Sequence, residues 1–327
     1  ANLAGYTIIL GLTVVEFFWA MSNIGWSALI SDIYPEKKRN EVQGRLASVG
    51  GLGRLLGIWI GGQLYDGMGG KYEGWGFESG ILFFVAAAIM IIAMLPVLLL
   101  PEGGAGSKTF RDYDCGSVCR AESFRFYLIF LAAMTFINFG RNCVATIQSQ
   151  YLFLESGFAV NSQTLSHIVN TESAAIVLLG LFSGRIGRRM GNGRAVCTGA
   201  LFSVFYLVIF IFSDQLYLIF VASFLRGTGD VIILAASYAM ASVLIPPESR
   251  GSWFGYFNAT LFLSWGVAGT FIAGPVVDAM EMLGYASAAA YRMAYVAALF
   301  MTLTGLVIQV VLVFILLPKA GIRKVEA

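Results

Sequence analysis

The sequence predicts an all-α protein that crosses a membrane many times, and three observations carry that expectation. Charge is scarce: 12% of the 327 residues are charged and 58% are hydrophobic, where a typical soluble domain carries about 25% charged residues. The hydrophobic residues fall in runs near the ~20 that a helix needs to cross a bilayer core. No stretch of strand length alternates polar with apolar residues, the pattern a membrane β-barrel requires.

Taken in order, the runs are 6–30, 46–65, 79–100, 124–152, 163–183, 195–213, 216–244, 252–277 and 288–317, nine expected transmembrane helices. The first holds one acid, Glu16, and ends at the proline turn of "ISDIYPEKKRN". The second carries Arg54 among Gly53, Gly57, Gly61 and Gly62; glycines at such spacing let helix backbones approach closely in lipid. The third is uncharged inside. The fourth bears Arg141 and Gln148, the fifth Asn170 and Glu172, and the sixth nothing charged in its interior. The seventh contains "RGTGD", with Arg226 and Asp230, the eighth Asn258 and Trp265, and the ninth again no interior charge. His167 sits near a helix end, and the "NAT" at 258–260 is inside a run, out of reach of glycosylation.

The loops show an asymmetry that fixes orientation. Those after the odd-numbered runs, with the tail, hold sixteen of the 21 basic residues, including Arg185, Arg188, Arg189 and Arg194 of "LFSGRIGRRMGNGR". The opposite loops hold Lys71 and Arg292. Basic residues resist translocation, so the rich side is expected in the cytoplasm, with the C-terminus on that side. The Arg-rich turn is too short to offer a face to nucleic acid, and no nucleic-acid partner is expected. Cys115 and Cys119 of "CGSVC", with Cys143 and Cys197, are expected as free thiols. No metal-ligand spacing, phosphate loop or nucleophile–base pattern occurs, so neither cofactor nor metal is expected, and an enzyme is disfavoured.

The chain repeats itself. "ISDIYPEKKRNEVQG" (30–44) and "MASVLIPPESRGSWFG" (240–255) each end a hydrophobic run, turn at a proline and re-enter at a glycine, with Arg39 and Arg250, and Gly44 and Gly255, 211 apart. "GGQLYDGM" (61–68) similarly matches "AGPVVDAM" (273–280). A repeat recurring six runs later implies two homologous halves of six helices. The chain then reads as the last nine of twelve helices. Residues 1–101 supply three helices of the first half, 102–122 a cytoplasmic linker, and 123–327 a complete six-helix second half. Nine spans with a cytoplasmic C-terminus would place Ala1 outside, yet no signal peptide precedes the first span, so further sequence is expected upstream.

These motifs resemble the major facilitator superfamily. "GLFSGRIGRR" is similar to that family's loop signature between the second and third helices of a half, matching at Gly180, Arg185, Gly187, Arg188 and Arg189; Gly184 stands where the family usually has an acid. "GRLLGIWIGG" is similar to the fifth-helix glycine signature, with Ile58 where antiporters usually carry proline, and "RGTGD" resembles the fourth-helix signature of a half. The resemblance implies a twelve-helix fold of which this chain supplies helices 4–12. It also implies that the uncharged spans are the outer, supporting helices 6, 9 and 12, and that the charge-bearing spans border a central cavity.

A charge at membrane depth is costly and normally faces a bundle interior. Glu16, Arg54, Arg141, Glu172, Arg226 and Asp230, with Gln148, Asn170 and Asn258, are therefore the candidate substrate and proton-pathway residues. Depth alone suggests an Arg141–Glu172 pair, and the four-residue spacing an Arg226–Asp230 pair. The expected function is secondary or facilitated transport of a small solute by alternating access, with proton coupling through Glu172, Glu16 or Asp230. The competing reading is a non-transporting accessory subunit of a membrane complex. The expected setting is the cell membrane, with lipid and a small solute as partners, as a monomer unless the protein joins a larger complex.

Overall fold

The computed structural model describes residues 2–65, 81–99, 117–245 and 250–320, and every regular element within them is helical. Two long helices, α1 (Asn2–Ile33) and α2 (Glu36–Tyr65), are followed by α3 (Ile81–Met94), which continues as a 3-10 turn over Leu95–Leu99. Then come α4 (Ser117–Cys143), α5 (Ala145–Phe153), α6 (Ser162–Gly180), α7 (Ser183–Met190), α8 (Asn192–Phe212) and α9 (Leu216–Leu244). The last are α10 (Arg250–Ala268), α11 (Gly274–Met282), α12 (Ser287–Val311) and the single turn α13 (Leu317–Lys319), with π-helical turns at Gly269–Ala273 and Leu312–Leu316. The helices follow the hydrophobic runs read from the sequence, with α4–α5, α10–α11 and α12–α13 each continuing one run through a local break. By length and composition five described helices can cross a membrane, six if α6 and α7, bent by 58° to each other, count as one. This is an integral membrane protein; the count of nine spans rests on the sequence runs. Most of the expected linker, 102–122, lies outside the described residues, and α4 begins within it at Ser117.

Packing is set by where glycines allow it. In lipid, helices gain little from hiding apolar surface and associate through close contact instead. An added Cβ on Gly305 of α12 would lie 2.7 Å from Ile137 N, and one on Gly140 of α4 would lie 2.6 Å from Thr302 N. The two helices thus cross backbone to backbone. Between α8 and α9, Gly199 and Gly229 play the same part, since a Cβ on Gly229 would fall 2.8 Å from Gly199 O. On α2 the close approaches to α6 are made by Gly44, 2.5 Å from Gly180 O when a Cβ is added, and by Gly51 against Val177. Gly53 and Gly57 meet nothing within 4 Å among the described residues, while Gly61 and Gly62 lie in α2 but outside the residues whose side-chain positions are described.

The buried interior is stratified. One apolar cluster lies toward the end carrying the Arg-rich turn and includes Phe130, Ile137, Val196, Ile233, Tyr238, Phe254 and Leu312. A second lies toward the opposite end and includes Ile147, Tyr151, Ile168, Tyr206, Phe210, Ala268 and Tyr295. Between them, six helices contribute buried polar side chains: Asn138, Arg141 and Asn142 on α4, Glu172 and Ser173 on α6, and Ser203 on α8. The set continues with Arg226 and Thr228 on α9, Asn258, Thr260 and Ser264 on α10, and Thr302 on α12. The outward faces are apolar and exposed, as at Phe212, Phe271 and Phe300, which is what a lipid-facing surface needs.

The internal repeat has a structural counterpart. The 211-residue offset equates the end of α1 with the end of α9, and α2 with α10. In the fold α1 packs on α10 and α2 on α9, so the contacts exchange as a twofold relation requires. The Tyr238 hydroxyl donates to the Ser27 carbonyl across a separation of 211 residues.

Gly140→Ala and Gly305→Ala are each expected to cost about 1–3 kcal/mol by overpacking, read as a fall in the unfolding temperature of the detergent-solubilised protein. Gly255→Ala, whose methyl would meet Ile24 Cδ1 at 3.8 Å, is the control and should stay within about 0.5 kcal/mol of the parent.

Candidate functional site

The polar level between the two apolar clusters contains a connected group of ions. Its assembly starts from "RGTGD". Arg226 on α9 points at α6, and a Cβ on Gly227 would run into the Glu172 carbonyl. Glycine there brings α6 and α9 into backbone contact and so delivers Glu172 to Arg226. Arg226 Nε lies 3.6 Å from Glu172 Oε2 and 4.0 Å from Asp230 Oδ2, one helical turn away. Arg54 reaches across from α2, its Nη1 donating to Glu172 Oε1 at 2.8 Å. Arg141 on α4 donates through Nη1 to Asp230 Oδ1 and through Nε to Asn138 Oδ1 at 3.1 Å. Gln148 Oε1 accepts from Arg226 and, at 3.0 Å, from the Tyr206 hydroxyl, while the Arg226 guanidinium lies over the Tyr206 ring, 5.3 Å from its centre.

The expected Arg141–Glu172 pair is therefore corrected. Matching depths put the two residues at one level, but depth says nothing of azimuth: α6 turns Glu172 toward α9 and α2, and Arg141 meets Asp230 instead. Three guanidiniums share two carboxylates, so one positive charge is left over among the described residues. The group is almost closed to solvent. Glu172 and Arg226 are buried, whereas the Asp230 side chain is 20% exposed and that of Arg54 37%. Burial of this kind is tolerated only when each ion has an opposite partner.

Other candidates lie apart from this group. Asn258 is buried where α10 meets α1, with its Nδ2 3.5 Å from Ser27 Oγ, so it serves the contact between those two helices. Asn170, one half-turn before Glu172, has a buried Oδ1 without a hydrogen-bond partner. Trp265 and His167 are exposed. The Glu16 side chain lies outside the described residues, as do Cys115 and the Cys119 side chain; Cys143 and Cys197 are free thiols. A feature the sequence reading missed is the polar ladder between α4 and α10. Asn138 donates to Thr260 Oγ1 at 3.0 Å and Asn142 to Ser264 Oγ at 2.8 Å. Its signal was present in the sequence as two polar pairs at matching four-residue spacing.

A second site lies at the basic end. Gly180 closes α6, and Arg185, Gly187, Arg188 and Arg189 form the short helix α7. The turn into α8 is made at Gly191, whose φ of +83° favours glycine. Arg185 lies over the Phe182 ring, 5.6 Å from its centre. A Cβ on Gly187 would collide with Asn40, and Asn40 donates to Asn192 Oδ1 at 2.7 Å. Arg188 Nη1 donates to Glu41 Oε2 at 2.7 Å, and Glu41 also pairs with Arg45 at 2.6 Å. α7 is thus clamped against the start of α2.

A model of the major facilitator superfamily matches residues 130–327, more than half of the chain. The chain belongs to the major facilitator superfamily. No curated protein sequence matches it. Members of the superfamily are generally membrane transporters, and they bind small-molecule substrates and lipid.

Within the superfamily pattern, Gly184 leaves the α7 turn without its own acid. The structure supplies the acid from the other side. A Cβ on Gly184 would sit 2.6 Å from Glu41 Cβ; the missing side chain at 184 makes the seat for Glu41, whose carboxylate then reaches Arg188. That hydrogen bond, followed by the charges of Arg45, Arg188 and Lys38, holds the Glu41 carboxyl below its ordinary value. A lowered value means that the contact contributes at all pH above the ordinary glutamate range and is lost only as pH falls through the lowered value. Being exposed, the pair adds little to stability.

Asp230→Asn removes a charge that neutralises buried Arg141 and should lower stability by about 3 kcal/mol, the scale of losing one partner of a buried ion pair. The double variant Arg141→Gln/Asp230→Asn should recover part of that loss. Thermal unfolding of the three proteins in one detergent measures both effects.

Proposed function

We propose that this protein moves a small solute across the cell membrane by alternating access, with its basic end and C-terminus in the cytoplasm, and that it acts as a monomer. In such transporters two homologous bundles rock about a binding site near the mid-membrane. The observation that carries the reading is the Arg54–Glu172 ion pair, 2.8 Å long, which joins α2 of the first half to α6 of the second at the buried polar level. A rocking motion separates these two helices, and the pair must open with it.

On this reading, the remaining contacts between the halves support a closed cytoplasmic face. From the basic end inward, Glu41 pairs with Arg188, Arg39 Nη1 donates to Ser242 Oγ at 3.0 Å, and Ser31 Oγ shares a 2.8 Å hydrogen bond with the Tyr238 hydroxyl. Further in, Ser48 Oγ donates to the Val177 carbonyl at 2.9 Å. Arg39 also donates to the Ser31 and Tyr34 carbonyls, which ties the end of α1 to the start of α2 and makes them move as one body. These contacts support reading the structure as a state shut toward the cytoplasm. The Glu41–Arg188 contact is the outermost latch of that state, and it breaks when the transporter opens inward.

Proton coupling follows from the same pair. When Arg54 withdraws, Glu172 keeps Arg226 but loses one of its two cations, and a proton can take the place of the departing guanidinium. Glu172→Gln is neutral in both states, so in proteoliposomes its transport should no longer respond to an imposed pH gradient, while the parent responds. Equal responses in the two proteins would remove Glu172 from the coupling step.

Glu41→Gln should weaken the latch and populate the inward-open state. Cysteines placed facing the cytoplasmic cleft would then react several-fold faster with a membrane-impermeant maleimide applied from that side. The parent should keep its slow rate from about pH 7 down to about pH 5, because the Glu41 carboxyl stays ionised below the ordinary glutamate value near 4.3.

A further inference from the structure

We infer that the transported solute carries a negative charge, a carboxylate or phosphate group, and that Arg54 is the residue that binds it. The inference rests on the transport reading above and adds the chemical class of the solute. It comes from charge counting at the buried level. Arg54, Arg141 and Arg226 converge on Glu172 and Asp230, and among the described residues the group holds one cation more than its anions. A cation at membrane depth is favoured by an opposite charge beside it, so the described part of the group offers a place to an anion.

The geometry says which arginine receives it. Arg226 and Arg141 have buried side chains, 8% and 6% exposed, and are committed on several edges: Arg226 to Glu172, Asp230, Gln148 and Tyr206, and Arg141 to Asp230 and Asn138. Arg54 differs in both respects. Its side chain is 37% exposed, and its hydrogen bond to Glu172 is made through Nη1 alone. A guanidinium has five N–H donors in a planar fork suited to bidentate contact with carboxylate or phosphate, so a second edge of Arg54 remains for a solute. Arg54 is also the member of the group that belongs to the other half, so an anion held on it is gripped between the two moving bodies. Binding there would compete with Glu172 for the same guanidinium, which links arrival of the solute to loosening of the ion pair that joins the halves.

The test is uptake into proteoliposomes containing the full-length protein, using labelled solutes in charge-matched sets. Lactate is compared with lactamide, benzoate with benzamide, and glucose 6-phosphate with glucose; choline represents cations. The expected result is that at least one anion is taken up above empty liposomes and its neutral partner is not, with the carboxylate and phosphate arms showing which group is preferred. Arg54→Gln should weaken uptake of that anion by at least about tenfold, the loss of one charge-assisted hydrogen bond, while Arg54→Lys, which keeps the charge and loses the fork, should retain part of it. An unchanged elution profile and unfolding temperature for Arg54→Gln separates lost binding from lost fold. Uptake of glucose, an amide or choline in preference to every anion overturns this inference and leaves transport standing. Equal anion uptake by Arg54→Gln overturns the assignment to Arg54. No uptake of any solute overturns the transport reading and this inference with it.

Discussion

Ions at the level of the membrane core are costly unless they face one another or a water-filled cavity, because lipid cannot solvate them. That constraint organises the molecule. Three arginines and two carboxylates can share charge only if α2, α4, α6 and α9 bring them to one depth with compatible azimuths, and each helix meets the demand by a different local device. Gly227 lets α6 touch α9 beside Glu172. The i,i+4 spacing puts Arg226 and Asp230 on one face. Asn138 and Gln148 take the guanidinium edges that the carboxylates leave. The two apolar clusters above and below then follow, since residues flanking such a group have to exclude water from it and strengthen every interaction inside.

The same reasoning explains why glycine is placed where it is. Helices that pack through side chains alone stand ~8–10 Å apart, too far to bury a short hydrogen-bonded ion group. Gly140 and Gly305, and Gly199 and Gly229, each place one backbone against another, and those crossings bracket the polar level. At the basic end, Gly180, Gly184 and Gly187 let α7 lie directly on α2. The Arg-rich turn owes its density of charge and glycine to these two jobs together: the glycines bring the elements into contact, and Arg188 secures the contact to Glu41.

Much of the fold could be read in the sequence because lipid imposes a simple rule on composition. Run length marked the helices. The candidate ions were also legible, since charge inside an apolar run is conspicuous. What could not be read was pairing. Arg141 and Glu172 stand at one depth, but a partner is chosen by rotation about the helix axis and by which neighbour comes closest, and those depend on tertiary packing. For the same reason the acid serving Arg188 was invisible: Gly184 looked like a loss, and only the close approach of α2 shows that Glu41 fills the space. The glycine signature around Gly53 and Gly57 marked the right helix, yet the contacts described on it are made by Gly44 and Gly51.

Where the helices break is the last consequence of the polar level. α4 is interrupted at Val144 and α10 passes into a π-helical turn at Gly269, and the two breaks adjoin, since a Cβ on Gly269 would lie 3.1 Å from Thr146 Cγ2. Both lie just beyond the rungs Asn138–Thr260 and Asn142–Ser264. Hydrogen bonds between helices inside a membrane are worth only about 0.6–2 kcal/mol each, but two in register resist sliding and rotation far better than apolar contact does. The ladder therefore holds α4 and α10 together on the side of the basic end, and both helices break just past it. Backbone groups freed at a π-turn are tolerated at this depth because neighbouring helices cover them. The ion group spans the break in α4–α5: Arg141 lies on the braced side and Gln148, which accepts from Arg226, on the far side.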